Sequence, residues 1–216
     1  MARKSSKEVS SKKHSPIPPT ETVSATPRKK AAEAAATVVP AVKSQPAPAP
    51  ASAPVIDRAA VAAQIAALRG TDADTARDAA IALGRLGDAS AVEPLIEALR
   101  NANGYFHSVV RAAAAASLGQ LRDARAFEPL SAATGDTMAE ASAEAVRALT
   151  AMADPRATAV LIDIVRNPSG YFLSTVRLAA VEGLKKLGGP AATAELARVA
   201  GDAAEDAVIR RAAGGR

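Results

Sequence analysis

The 216-residue sequence predicts an all-α chain, a right-handed solenoid of about four helical hairpins behind an N-terminal disordered tail. Three observations predict it. Gly104-Tyr105-Phe106-His107-Ser108-Val109-Val110-Arg111 and Gly170-Tyr171-Phe172-Leu173-Ser174-Thr175-Val176-Arg177 read almost alike. So long an interval, carrying rare residues at matching positions, marks a repeat architecture rather than one globular core. Leu83, Leu118, Leu149 and Leu184 follow one another at a long, a short and again a long step, so units repeat in pairs, at the interval that separates Gly104 from Gly170. From Asp57 onward the apolar residues recur at helical spacing, each set forming one stripe.

Residues 1–55 form the tail. They hold nine of the 14 prolines and end in alternating Ala and Pro, which has no apolar face to bury. Upstream, Lys, Ser, Thr and Pro give the composition of a disordered segment, with residues 31–39 forming at most a transient helical turn. The repeat domain spans 56–216. A capping helix over 57–69 precedes the first hairpin, 71–101, the most regular of the four. There Ala79, Ala80, Leu83 and Leu86 make one stripe, Gly87-Asp88 stops the helix, and Asp88 or Ser90 caps the next. Pro94 lies in the first turn of the second helix, where its missing N–H costs little, ahead of Leu95, Ile96 and Leu99. The same grammar recurs at about 104–135, 137–167 and 170–201, and a second capping helix over 203–213 closes the stack.

Val110-Arg111-Ala112-Ala113-Ala114, then Leu118-Gly119-Gln120-Leu121 and Asp123, with Pro129 early in the next helix, resembles HEAT repeats. The likeness is in particular to the HEAT-like repeats of phycobilisome lyases. It covers roughly residues 57–213, with 75–99 and 110–130 the closest matches. Gly189 departs from it in the place of the turn Asp, and Ala76 and Ser142 stand where Arg111 and Arg177 stand. The resemblance implies a scaffold or adaptor that binds another protein or peptide, because function in such arrays lives in surfaces grafted on the fold. It also implies an alternative, a phycobilin lyase-like factor.

Composition narrows the chemistry. Cysteine is absent, which removes disulfides, thiolate metal sites and a Cys nucleophile. His14 and His107 have no metal-ligand spacing, and no phosphate loop, nucleophile elbow or zinc-protease motif is present. No catalytic residue, metal or cofactor is therefore expected. Neither a signal-peptide core nor a membrane-span-length apolar run occurs, and a cytoplasmic protein is the default expectation. The net charge of +5 divides unevenly. Residues 1–55 hold nine Lys/Arg against three Glu, whereas residues 56–216 hold 18 basic and 19 acidic side chains. The tail reads first as a solubilising tether. As an alternative it is an electrostatic arm making nonspecific phosphate contacts with nucleic acid, without base stacking, since residues 1–54 contain no aromatic.

Candidate binding residues follow from the repeats. The pairs Tyr105-Phe106 and Tyr171-Phe172 fall in the enlarged turn between hairpins, either as wedges plugging the core edge or as matched anchors for a partner. The tyrosines are the expected exposed members. His107 faces Leu173 in the twin copy, so it reads as a surface or half-buried histidine. Arg111 and Arg177, with Asp88, Asp123 and Asp154, are expected to form the ladder that ties neighbouring hairpins. Second helices line the binding face of such arrays, so Glu93, Glu97 and Asp163, with Glu128 and Glu195, are expected to form an acidic stripe for a basic or mixed-charge peptide.

Overall fold

The computed structural model describes residues 57–101 and 106–215. The tail, residues 1–55, and Tyr105 lie outside the described residues. Among the described residues every regular element is helical. Helix α1 (Arg58–Leu68) is followed by α2 (Ala73–Leu86), α3 (Val92–Arg100), α4 (Ser108–Leu121) and α5 (Phe127–Ala133). Then come α6 (Ala139–Met152), α7 (Ala157–Arg166), α8 (Ser174–Leu187), α9 (Gly189–Gly201) and α10 (Ala207–Ala213). Helices α2–α3, α4–α5, α6–α7 and α8–α9 are the four hairpins.

Each stop and start has a local cause. Asp57 accepts from the amides of Ala59 and Ala60 and caps α1, and Asp72 does the same for α2 through Thr75. Helix α2 ends on Gly87 at φ 71°, a left-handed backbone that glycine adopts without a Cβ clash. Asp88 then accepts from the Ser90 amide at 2.7 Å and opens a single 3-10 turn, Ala89–Ala91, ahead of α3. Asp123 repeats this over Ala124–Ala126 before α5.

The first helices stack side by side, α2 on α4 on α6 on α8, and each also packs against the second helix before it. Helix α1 packs on α2 as α3 packs on α4, and α10 packs on α8 and α9 as a further first helix would. The two terminal helices thus continue the lattice by one helix at each end. Leu83, Leu118, Leu149 and Leu184 are fully buried on the axis of this stack. Truncating one of them to alanine costs about 2–5 kcal/mol.

A small residue at each interface sets how closely the first helices approach. A Cβ on Gly119 would come within 2.7 Å of the Ala148 main chain, and one on Gly84 would meet Ser117 at the same distance. At the third interface the glycine changes sides. Gly183 lies on the following helix, where a Cβ would meet Thr150, which stands in the sequence position of Gly84 and Gly119.

Candidate partner-binding site

The stack has two edges, one made of the turns inside hairpins and one made of the junctions between them. The long junctions after α3 and α7 are built on paired asparagines, Asn101 and Asn167, both left-handed at φ 45°. The Asn101 side chain accepts from the Phe106 amide at 2.7 Å. Asn167 accepts from the Phe172 amide at 2.9 Å and donates to its carbonyl at 3.0 Å. Phe106 and Phe172, held by these bonds, pack against the core, half-buried. The asparagines were not among the sequence candidates, although they are separated by the same interval as Gly104 and Gly170.

Tyr171 points outward. It is 53% exposed, its ring meets Phe172 edge-to-face at 5.4 Å, and its hydroxyl donates to the Gly135 carbonyl at 2.8 Å. Leu173 beside it is 60% exposed, and Met138, just before α6, is 49% exposed. Tyr171, Phe172, Leu173 and Val176 line a cavity of about 280 Å³ together with Asp136, Thr137, Ala139 and Ser142. His107, in the position of Leu173, is exposed at the equivalent junction.

Beneath this surface the two arginines of the repeated segment act as staples. Arg111 grips Asp136 with both ends of its guanidinium, at 2.7 and 2.8 Å, and donates to the Phe106 carbonyl. Arg177 also makes two bonds to Glu205, through its two terminal nitrogens, and donates to the Val165 carbonyl. Both pairs retain only 10–12% side-chain exposure. The bond from Arg111 holds the Asp136 carboxyl below its ordinary value against the upward pull of burial, and Arg177 does the same for Glu205. In α6, where Ser142 replaces the arginine, its hydroxyl bonds the Thr134 carbonyl, as Arg177 bonds that of Val165.

The expected pairing of these arginines with Asp88, Asp123 and Asp154 is therefore corrected. Arg111 stands in the first turn of α4 and Asp123 just beyond its end. A 14-residue helix separates its ends by roughly 20 Å, so the two lie on opposite edges. On the turn edge Asp123 and Asp154 instead hold Arg125 and Arg156 of their own turns at 2.9 Å. Those arginines reach back to Glu93 and Glu128 of the preceding hairpin, at 3.3 and 3.1 Å, and Arg156 also covers the Phe127 ring at 3.8 Å. Hydrogen bonds from Arg125 take the Asp123 carboxyl down to about 2. Asp88 has no arginine in its turn and caps Ser90 alone.

The acids of the second helices do not form a free stripe. Glu93 is paired with Arg125, and Glu97 with Arg69 at 3.0 Å. Glu195 is 3% exposed between Arg166 and Arg198, each at 2.8 Å. Burial pushes its carboxyl up, but the hydrogen bonds from Arg166 and Arg198 outweigh that and hold it low. Asp163 is exposed beside Arg166. Among the described residues no three His, Asp or Glu side chains cluster as metal ligands would, and no helix is long and apolar enough to cross a membrane.

Repeated helical hairpins stacked through first helices, with acid-capped turns and arginine staples, define a helical-repeat solenoid. A family model of HEAT repeats matches residues 61–138 and 106–174, which together span more than half of the chain. The chain belongs to the HEAT repeat family. No curated protein matches it. Among solved structures it is similar to the complex of CpcE and CpcF of phycocyanin lyase from Nostoc sp. PCC7120, at 20% identity and a TM-score of 0.46, covering 81% of this chain and 79% of that one. It is also similar to human deoxyhypusine hydroxylase in complex with glycerol, at 17% identity and a TM-score of 0.36, covering 71% and 81%.

Proposed function

We propose that the chain is a non-enzymatic adaptor that binds another protein or peptide along its junction edge. One observation carries this reading. Among the described residues the exposed large apolar side chains are Met138, Tyr171, Leu173 and Val208; Tyr171 and Leu173 line one cavity between the starts of α6 and α8, and Met138 stands in the chain between Thr137 and Ala139 of the same lining. Side chains of that size, grouped beside a pocket and rigidly backed by Phe172 and the Arg111–Asp136 staple, have the make-up of an interface anchor. The charged turn edge offers no comparable group.

The test is capture from native lysate on the immobilised full-length chain, with partners identified by cross-linking. A partner should be lost by about tenfold on Leu173→Asp and retained on Glu93→Ala, because a carboxylate cannot enter an apolar anchor site without a large desolvation cost. Equal retention by both variants would remove the junction edge from the account.

A further inference from the structure

The second helices carry a repeated ion pair, and in one place the repeat is incomplete. Arg69 follows the buried Leu68 at the end of α1 and reaches Glu97 on α3 at 3.0 Å. Arg166 follows the buried Val165 at the end of α7 and reaches Glu195 on α9 at 2.8 Å. Arg100 stands in the same position, following the buried Leu99 at the end of α3, one full period before Arg166. The next second helix, α5, has no acid at the matching positions, and its one acid, Glu128, is paired with Arg156. Pro129 occupies the place of Glu195 one period earlier, and Ala132 the place of Glu97 one hairpin later.

Arg100 is exposed and lines two cavities. One, of about 350 Å³, also holds Arg69, Pro94, Glu97 and Phe106. The other, of about 230 Å³, is lined by Leu99, Pro129, Ala132, Ala133, Gly135 and Asp136. Among the described residues, the acids that line these cavities are already paired: Glu97 with Arg69, Glu93 with Arg125, and Asp136 with Arg111. What remains is one guanidinium over a floor of small apolar groups, next to Asp136 and hence to the Tyr171 cavity, which shares that residue.

We infer that Arg100 receives a carboxylate side chain from a partner peptide, which supplies in trans the acid that α3 and α9 supply to Arg69 and Arg166 within the chain. The inference rests on the adaptor reading and adds the chemistry of the partner, an acidic residue flanked by small or apolar ones. A guanidinium recognises a carboxylate through two parallel hydrogen bonds, a geometry a lysine would not reproduce. The low side chains of Pro129 and Ala132 let a peptide backbone approach closely enough for a short acid to reach it.

The experiment selects a random phage-displayed peptide library on the full-length chain and measures the affinity of the selected peptides. Selected sequences should be enriched in Asp or Glu. Changing that acid to its amide, or making Arg100→Ala, should each weaken binding by at least about tenfold, the loss of a charge-assisted hydrogen bond. Ala132→Glu should weaken it similarly by completing the pair within the chain, and it keeps the test open if Arg100→Ala fails to fold. Arg85→Ala, an exposed arginine of α2, should leave binding unchanged. Selection without acid enrichment, or acidic peptides that bind Arg100→Ala as tightly as the parent, would overturn the inference. Peptides that depend on Leu173 and not on Arg100 would overturn it while leaving the adaptor reading intact.

Discussion

The two edges of the solenoid treat charge in opposite ways. On the turn edge the charges are mutually paired and open to solvent, with the arginines and glutamates exposed and the aspartates half-buried: Asp123 with Arg125 and Glu93, Asp154 with Arg156 and Glu128. On the junction edge the ion pairs lie underneath, Arg111 with Asp136 and Arg177 with Glu205, and the outer surface is Met138, Tyr171 and Leu173. Exposed pairs contribute little to stability and present a partner with groups already satisfied. Buried pairs fix the junction geometry and free the surface for apolar contact. The same kind of pair, an arginine with a carboxylate, thus ties neighbouring repeats in the open on one edge and lies beneath an exposed apolar surface on the other.

Removing one partner of a junction staple is the strongest way to break this contrast. Arg111→Ala leaves Asp136 nearly buried without its cation and should lower unfolding free energy by about 3–5 kcal/mol, read from urea denaturation. Its counterpart on the turn edge, Arg125→Ala, should cost only a small fraction of that, because Arg125 and Glu93 stand in solvent that screens them. Similar losses for the two variants would erase the distinction between the edges.

A smaller effect sharpens the account of the junction itself. Asn167→Ala removes two side-chain bonds to Phe172 and leaves a left-handed backbone with a disfavoured residue, at a cost of about 1–2 kcal/mol. Asn167→Gly keeps the backbone easy and removes only the bonds, so it should lie between the parent and Asn167→Ala. Thermal or urea unfolding of the three chains separates the two contributions.

Much of this was legible in the sequence, for reasons that differ by residue. Leu83, Leu118, Leu149 and Leu184 declare the core because burial acts on each helix separately and leaves a stripe. Gly87-Asp88 declares the first turn because a left-handed stop and an amide cap are local demands. The alternation of long and short steps between those leucines placed the enlarged junctions after α3 and α7. The partners of Arg111 and Arg177 were not legible, since the step from Asp136 to Glu205 is longer than the step between the arginines, and the two acids sit in junctions of different build. The pairing of the second-helix acids was hidden for a related reason. Composition counts Glu93, Glu97 and Glu195 as charges, but their arginine partners Arg125, Arg69 and Arg166 lie on other hairpins or caps, and only the stacking of helices brings them together.

Acid titration offers the finest test of the turn edge. Asp123 titrates near 2 in the folded chain, against an ordinary value of 3.8, because Arg125 and the Arg125 amide hydrogen-bond its charged form. The unfolded chain therefore binds more protons at this site between about pH 4 and pH 2, and folding stability must fall with pH across that window. Above it the contribution of the ionised Asp123 is fully present; below about pH 2 it is gone. The stability gap between the parent and Asp123→Asn should accordingly shrink as pH falls from about 4 to 2. Urea denaturation at several pH values reads it directly. A gap that stays constant through the window would mean that the Asp123–Arg125 pair contributes nothing, and that the turn edge is held by its backbone caps alone. Because Arg125 is exposed and Asp123 only half-buried, added salt should reduce the gap, whereas the buried Arg111–Asp136 staple should be much less sensitive to it.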